Sequence, residues 1–170
     1  MNTASRFWKV SFEQYMDDWK KYGRTISTDE EIKEIQTEWE DIRLPERATS
    51  GSAGYDFFIP RTTKFYVNLA SFFPTGIRCQ IERGWFLMLV PKSGLGSRYG
   101  MRLMNTTGVV DEDYFNSANE GHIQAGFCAN KDFTLKKGDK FMQGILVPYG
   151  ITIDDHATGI RNGGFGSTGA

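Results

Sequence analysis

Cysteine and histidine are scarce, and no apolar run is long enough to cross a membrane. The two cysteines, Cys79 and Cys128, lie in apolar stretches without metal-type spacing. Buried free thiols in a reducing compartment fit them better than a disulfide. With only His122 and His156, a histidine-based zinc site is not expected. The first ten residues contain aromatic and basic groups but no signal-peptide core, so a cytoplasmic protein is expected. Charge of either sign is nearly balanced, at a formal net of -1 over 170 residues. Such a balance gives little reason to expect nucleic-acid binding.

The balance conceals a division. Residues 11–44 hold ten of the 21 acidic residues and five of the 20 basic ones, leaving the remainder formally at +4. A mildly basic body suits a small anionic substrate. Ser11, with Gln14 three residues on, predicts a capped helix whose Phe12, Tyr15, Trp19 and Tyr22 share a face and whose stop is Gly23. Thr28 predicts a second cap, followed by Asp29, Glu30 and Glu31, a stripe of Ile32, Ile35, Trp39 and Ile42, and an end at Pro45. Residues 11–44 therefore read as an αα-hairpin with an acidic outer face. It serves either as a cover on the body or as a docking face for a protein partner.

From Ala48 the pattern changes. Short apolar runs at Trp85–Val90, His122–Ala129 and Phe141–Pro148, several apolar on both faces, are punctuated by glycine and proline. Residues 6–10 predict a further short strand. No helical period remains after residue 44. The expected class is mainly β, a jelly-roll-like barrel or sandwich. The whole of 1–170 reads as one domain, with the αα-hairpin as an insertion and 159–170 as a flexible arm.

Five polar, glycine-bearing segments interrupt the strands. Gly54 and Asp56 enter one strand, either as an ordinary turn or as part of a site. Pro91-Lys92-Ser93-Gly94-Leu95 follows an apolar strand, as a phosphate cradle does, although the order of the nucleotide triphosphatase phosphate loop is absent. In Gly108-Val109-Val110-Asp111-Glu112-Asp113-Tyr114, a solvated turn accounts for Glu112 and Asp113 but not for the hydrophobics or the tyrosine. An aspartate at a strand end can hold a water as general base. Gly138-Asp139 reads as a hairpin turn, and Gln143 must face a polar site or a buried partner. Last comes Arg161-Asn162-Gly163-Gly164-Phe165-Gly166-Ser167-Thr168-Gly169, whose glycines, hydroxyls and arginine can surround an anion.

In this order, the five segments resemble the motifs of the trimeric dUTP pyrophosphatase (dUTPase) family, from about Leu44 onward. The resemblance implies a jelly-roll-like homotrimer with active sites shared between subunits. It also implies magnesium-dependent hydrolysis of dUTP to dUMP and pyrophosphate, an activity that keeps uracil out of DNA and supplies dUMP. By the same resemblance Asp111 would activate the water that attacks the α-phosphorus. Tyr114 would pack on deoxyribose and exclude a 2′-hydroxyl. Backbone groups between Gly121 and Gln124, Ile123 among them, would read uracil beside Val109 and Val110, with Asn105 in support. Lys92, Ser93, Gly94 and Gln143 would meet the phosphates, and Arg161 the γ-phosphate. Phe165 would stack on uracil, with Gly166, Ser167 and Thr168 closing over the triphosphate. Magnesium would bind phosphate oxygens and water, with Asp56 at most an outer-shell partner through water.

Three departures stand out. Lys92 occupies a position that is usually arginine. Phe115-Asn116-Ser117-Ala118-Asn119-Glu120 replaces what is a single residue in many members, as in some Gram-positive and phage enzymes. Arg161 lies one residue closer to Phe165 than is common. A dCTP deaminase of the same fold is the nearest alternative, and a regulatory binding module acting through residues 11–44 is another.

Overall fold

The computed structural model describes residues 5–161. The chain opens with β1 (Arg6–Lys9), then α1 (Phe12–Lys21) and α2 (Asp29–Glu40). Strands β2 (Glu46–Arg47), β3 (Gly54–Phe58), β4 (Thr63–Phe65), β5 (Ser71–Pro74), β6 (Ile77–Gln80) and β7 (Trp85–Pro91) follow. After α3 (Ser93–Tyr99) come β8 (Arg102–Leu103), β9 (Gly108–Val110) and a 3₁₀ turn over Glu112–Asn116. β10 (Gln124–Cys128), β11 (Phe133–Leu135) and β12 (Lys140–Pro148) complete the order.

The main sheet is antiparallel, in the order β2-β3-β12-β7-β9. A second sheet has the order β5-β10-β8, and β1-β6 and β4-β11 form pairs. Phe141 of the main sheet packs against Phe73 of β5 at 5.2 Å and Phe127 of β10 at 5.7 Å between ring centroids. That aromatic seam joins the two sheets into one core. Along β7 only Leu87 and Leu89 are buried; the alternating Phe86, Met88 and Val90 are partly exposed. The strand is thus apolar on both faces but covered on one within a single chain.

The αα-hairpin forms as its sequence predicts and lies against the body. Thr28 and Glu31 make a reciprocal capping box. At α1 the box is only half formed. Ser11 Oγ accepts the Gln14 amide, but the Gln14 side chain donates to Asp18 instead of returning to Ser11. α2 also stops at Glu40, before Pro45 is reached. Of its stripe, Ile35 and Ile42 are buried while Ile32 is 37% exposed. The Tyr15 hydroxyl donates to Glu38 at 2.6 Å, and Trp39 Nε1 donates to the Val10 carbonyl at 2.9 Å. These bonds tie both helices to each other and to the end of β1.

Two helical segments follow residue 44, contrary to the sequence expectation. α3 and the 3₁₀ turn are each too short to show a helical period, and α3 also contains Gly94 and Gly96. Lys92 stands at the N-terminal boundary of α3 without a side-chain cap bond, so Ser93 and Gly94 fall in its exposed first turn.

Candidate functional site

A pocket of about 280 Å³ opens beside the end of β9. Asn105, Val109, Val110, Asp111, Tyr114, Ile123, Gln124 and Arg161 all line it. These residues are scattered along the sequence, and the fold gathers them. Gly108 allows β9 to lie this close to β7, since a Cβ there would sit 2.9 Å from that of Leu89.

Asp111 ends the strand in extended geometry and leads the 3₁₀ turn. Its side chain is 43% exposed, within reach of water. Arg161 Nη2 binds Asp111 Oδ2, while Arg161 Nε donates to Asp113 Oδ1 at 2.7 Å. The same guanidinium lies 5.9 Å from the centre of the Tyr114 ring. Glu112 points elsewhere. Its carboxylate accepts the Gly84 amide at 2.6 Å and anchors the turn. The three adjacent acids thus divide between the pocket and the scaffold.

Tyr114 is fixed at its hydroxyl. It donates to the His122 carbonyl at 3.0 Å and accepts from Asn119 Nδ2 at 2.8 Å. Burial raises its pKa, which keeps the phenol a neutral donor. Asn119 belongs to the 115–120 segment, so that insertion holds the pocket tyrosine. Arg78 in turn holds the insertion, donating to the Phe115 carbonyl at 2.6 Å and stacking on its ring at 3.6 Å.

The backbone between Gly121 and Gln124 is mostly engaged. His122 N–H binds the Asn119 carbonyl, and Ile123 N–H binds that of Ile77. The Ile123 carbonyl accepts from both the amide and the hydroxyl of Thr75. Register decides what remains. Ile123 directs its backbone groups to Thr75 and Ile77 and Ala125 pairs with Phe73 on the same side, so those of Gln124 point to the opposite side. There β8 has already turned away through the Leu103–Thr106 bridge. Among the described residues, β10 has no strand neighbour on that side at Gln124, which lines the pocket together with Asn105 and Thr107.

A second polar group lies elsewhere, where β3, β7 and β12 adjoin. Asp56 is fully buried, and its Oδ1 accepts from Lys92 Nζ at 2.6 Å and Gln143 Nε2 at 2.9 Å. Lys140 Nζ lies 2.8 Å from Oδ2. Burial works to raise the Asp56 pKa, but hydrogen bonds from Lys140, Lys92 and Gln143 outweigh it and leave it below the usual carboxylate value. Lys140 did not stand out in the sequence; its place beside Gly138-Asp139 was the available signal. Lys92, Ser93, Gly94 and Gln143 do not line the Asp111 pocket of their own chain. Asp56 faces lysines on both oxygens. Among the described residues, no three His, Cys, Asp or Glu side chains are grouped to hold a metal ion. Phe165, Gly166, Ser167 and Thr168, and most of the arm, lie outside the described residues.

The family model for dUTPase matches residues 40–169. The chain belongs to the dUTPase family. A deoxyuridine 5′-triphosphate nucleotidohydrolase of Lactococcus lactis is 33% identical over 144 residues, spanning 81% of this chain and 96% of that one. Among solved structures, a dUTPase of Streptococcus mutans is 34% identical with a TM-score of 0.58, covering 66% of this chain and 89% of that one. A dUTPase of the S. aureus phage phi11, which coordinates a structural Mg(II) ion, shares the fold at 20% identity and a TM-score of 0.59, covering 69% and 91%. Helices α1 and α2 lie almost wholly before the matched region. Both thiols are free, Cys79 buried as expected but Cys128 only half-buried, and no helix among the described residues is long and apolar enough to cross a membrane.

Proposed function

We propose that this chain hydrolyses dUTP to dUMP and pyrophosphate by attack of water on the α-phosphorus. One observation carries the reading: a single pocket joins an exposed strand-end carboxylate, a pinned tyrosine and one unpaired backbone edge. Uracil offers donors and acceptors along one edge, which the Gln124 N–H and C=O match, with Asn105 alongside. Tyr114 presents a ring that cannot yield to a 2′-hydroxyl, because both of its hydroxyl bonds hold it in place.

Asp111 takes the proton of the attacking water as the new phosphorus–oxygen bond forms and the bond to the β-phosphate oxygen breaks. Arg161 exchanges its carboxylate partners for the terminal phosphate, and that exchange frees Asp111 to act as base. Positive charge then faces the anion that develops on the leaving pyrophosphate. Magnesium, bound by triphosphate oxygens and water, would screen the charge of the substrate. The donor set suits an ion carried by the nucleotide, since Asp56 Oδ1 already accepts from Lys92 and Gln143 and the Lys140 ammonium lies beside Oδ2.

The phosphate contacts Lys92, Ser93, Gly94 and Gln143 belong to a neighbouring subunit's share of the site in a homotrimer. Their separation from the Asp111 pocket within one chain supports this, as does the 59% exposure of Val109 at the pocket rim. Pyrophosphate release from dUTP, compared with dCTP, tests the reading. Rapid release from dUTP alone is expected. Ammonia from dCTP without pyrophosphate from dUTP would identify a deaminase instead.

A further inference from the structure

Ile123 and Gln124 form part of the pocket wall, and the residues leading into them contact α1. Ile123 faces the pocket. The side chains of Glu120, in the turn, and of His122 and Gln124 beyond it reach the α1 segment. Each meets a partner there. Ser11 donates its N–H and Oγ to the Glu120 carboxylate at 2.8 Å and 2.5 Å. Asp18 Oδ2 lies 2.6 Å from His122 Nδ1. The Tyr22 hydroxyl donates to Gln124 Oε1. Ser11, Asp18 and Tyr22 are spaced by seven and four, which places them on one helical face.

The contact is built rather than incidental. His122 is fully buried, and its Nε2 accepts the Gly76 N–H at 2.8 Å. That acceptor role leaves the proton on Nδ1, directed at Asp18. Burial and the charge of Asp18 push the Tyr22 phenol up to about 12, so it remains a donor. Two departures from the minimal family pattern also meet here: α1 precedes the matched region, and Glu120 ends the 115–120 insertion.

We infer that α1 positions the base-reading edge, with Asp18 and Tyr22 as positioning residues that act through His122 and Gln124 to set recognition of the uracil ring. The inference rests on the pocket being the nucleotide-base site proposed above. A single backbone donor–acceptor pair discriminates only while its geometry is held to about 0.5 Å. The tight strand also excludes the thymine methyl by contact. A strand released from α1 loses both properties, while Asp111 stays anchored through β9 and Glu112.

The test uses the full chain carrying Tyr22→Phe, Asp18→Ala or Asp18→Asn, with thermal melts and steady-state pyrophosphate release from dUTP and dTTP. Tyr22→Phe and Asp18→Ala should raise KM for dUTP about fivefold to tenfold, the equivalent of one or two buried hydrogen bonds, with kcat within about twofold. The preference for dUTP over dTTP should narrow alongside. Asp18→Asn should restore most of the loss, because its amide oxygen still accepts from His122. Wild-type KM and preference in folded variants overturn the inference, whatever the melting temperature. A fall in kcat at unchanged KM also overturns it, as that marks lost active fraction. Should Asp18→Ala not fold, Tyr22→Phe decides, since it removes one hydroxyl. If the wild-type chain releases no pyrophosphate from dUTP, the base-site reading itself fails.

Discussion

Arg161 is bound to Asp111 across 50 residues of chain, so the residue read as a phosphate contact rests on the residue read as the base. On the proposed mechanism, the pair holds the cation beside the site until the terminal phosphate takes it over. Arg161→Ala should lower kcat/KM for dUTP about a hundredfold, the scale of one lost charge-stabilising group. The loss on dUDP, which has no γ-phosphate, should be smaller. Equal losses on the two nucleotides in parallel assays would place Arg161 elsewhere.

Asp111→Asn keeps the shape of the side chain and removes the proton acceptor. Turnover should fall by about 10²- to 10⁴-fold, the range for removing a general base. Calorimetric binding of a non-hydrolysable dUTP analogue should persist. Retained turnover would remove Asp111 from the mechanism.

Ending the chain after Ile160 deletes Arg161 together with the Gly163–Gly169 motif. Catalysis should be crippled while sedimentation still reports a trimer. An active truncated enzyme would contradict a role for the arm.

Gly121 stands at φ +68°, and a Cβ there would lie 2.6 Å from both the Phe115 Cα and the Tyr114 carbonyl oxygen. Neither backbone atom can rotate aside. Gly121→Ala should cost about 1–3 kcal/mol in urea unfolding and raise KM for dUTP, because the strain falls between Tyr114 and the base-reading edge.

Asp56 and Asp18 should make the fold acid-sensitive. Burial opposes the charge of each, but Lys140, Lys92 and Gln143 at Asp56, and His122 and Gln14 at Asp18, lower both pKa values. A lowered folded-state pKa contributes stability that is fully present above the unfolded value of about 3.9 and is lost as pH falls through the folded value. Urea midpoints measured between pH 7 and pH 3 should therefore drop below about pH 4. Asp56→Asn should lower the midpoint at pH 7 and flatten that acid limb. A limb of unchanged steepness would locate the sensitivity at other carboxylates.

Much of this molecule was legible in local pattern. Thr28 marked a helix start because a cap acts within its own first turn, although the reciprocal box expected at Ser11 and Gln14 closes at Thr28 and Glu31 instead. Gly138-Asp139 marked a turn before β12 for the same reason of locality, but not the hairpin expected there, since β11 pairs with β4 while β12 pairs with β3 and β7. The order of the five polar segments pointed to the family, which the match over 40–169 then showed. α3 escaped because seven residues with two glycines carry no period. Asp18 escaped because a charged residue on a helix reads as solvent-facing, whereas a histidine 104 residues away makes burial tolerable.

The sequence alone determined most of what is helix, strand and polar interruption, since propensity, capping and periodicity act over a few neighbours. Only the tertiary structure decided that Gln124 holds the free backbone edge, that Asp56 answers to two lysines, and that Arg161 pairs with Asp111. Each of those depends on register or on contacts across dozens of residues, which no local pattern encodes.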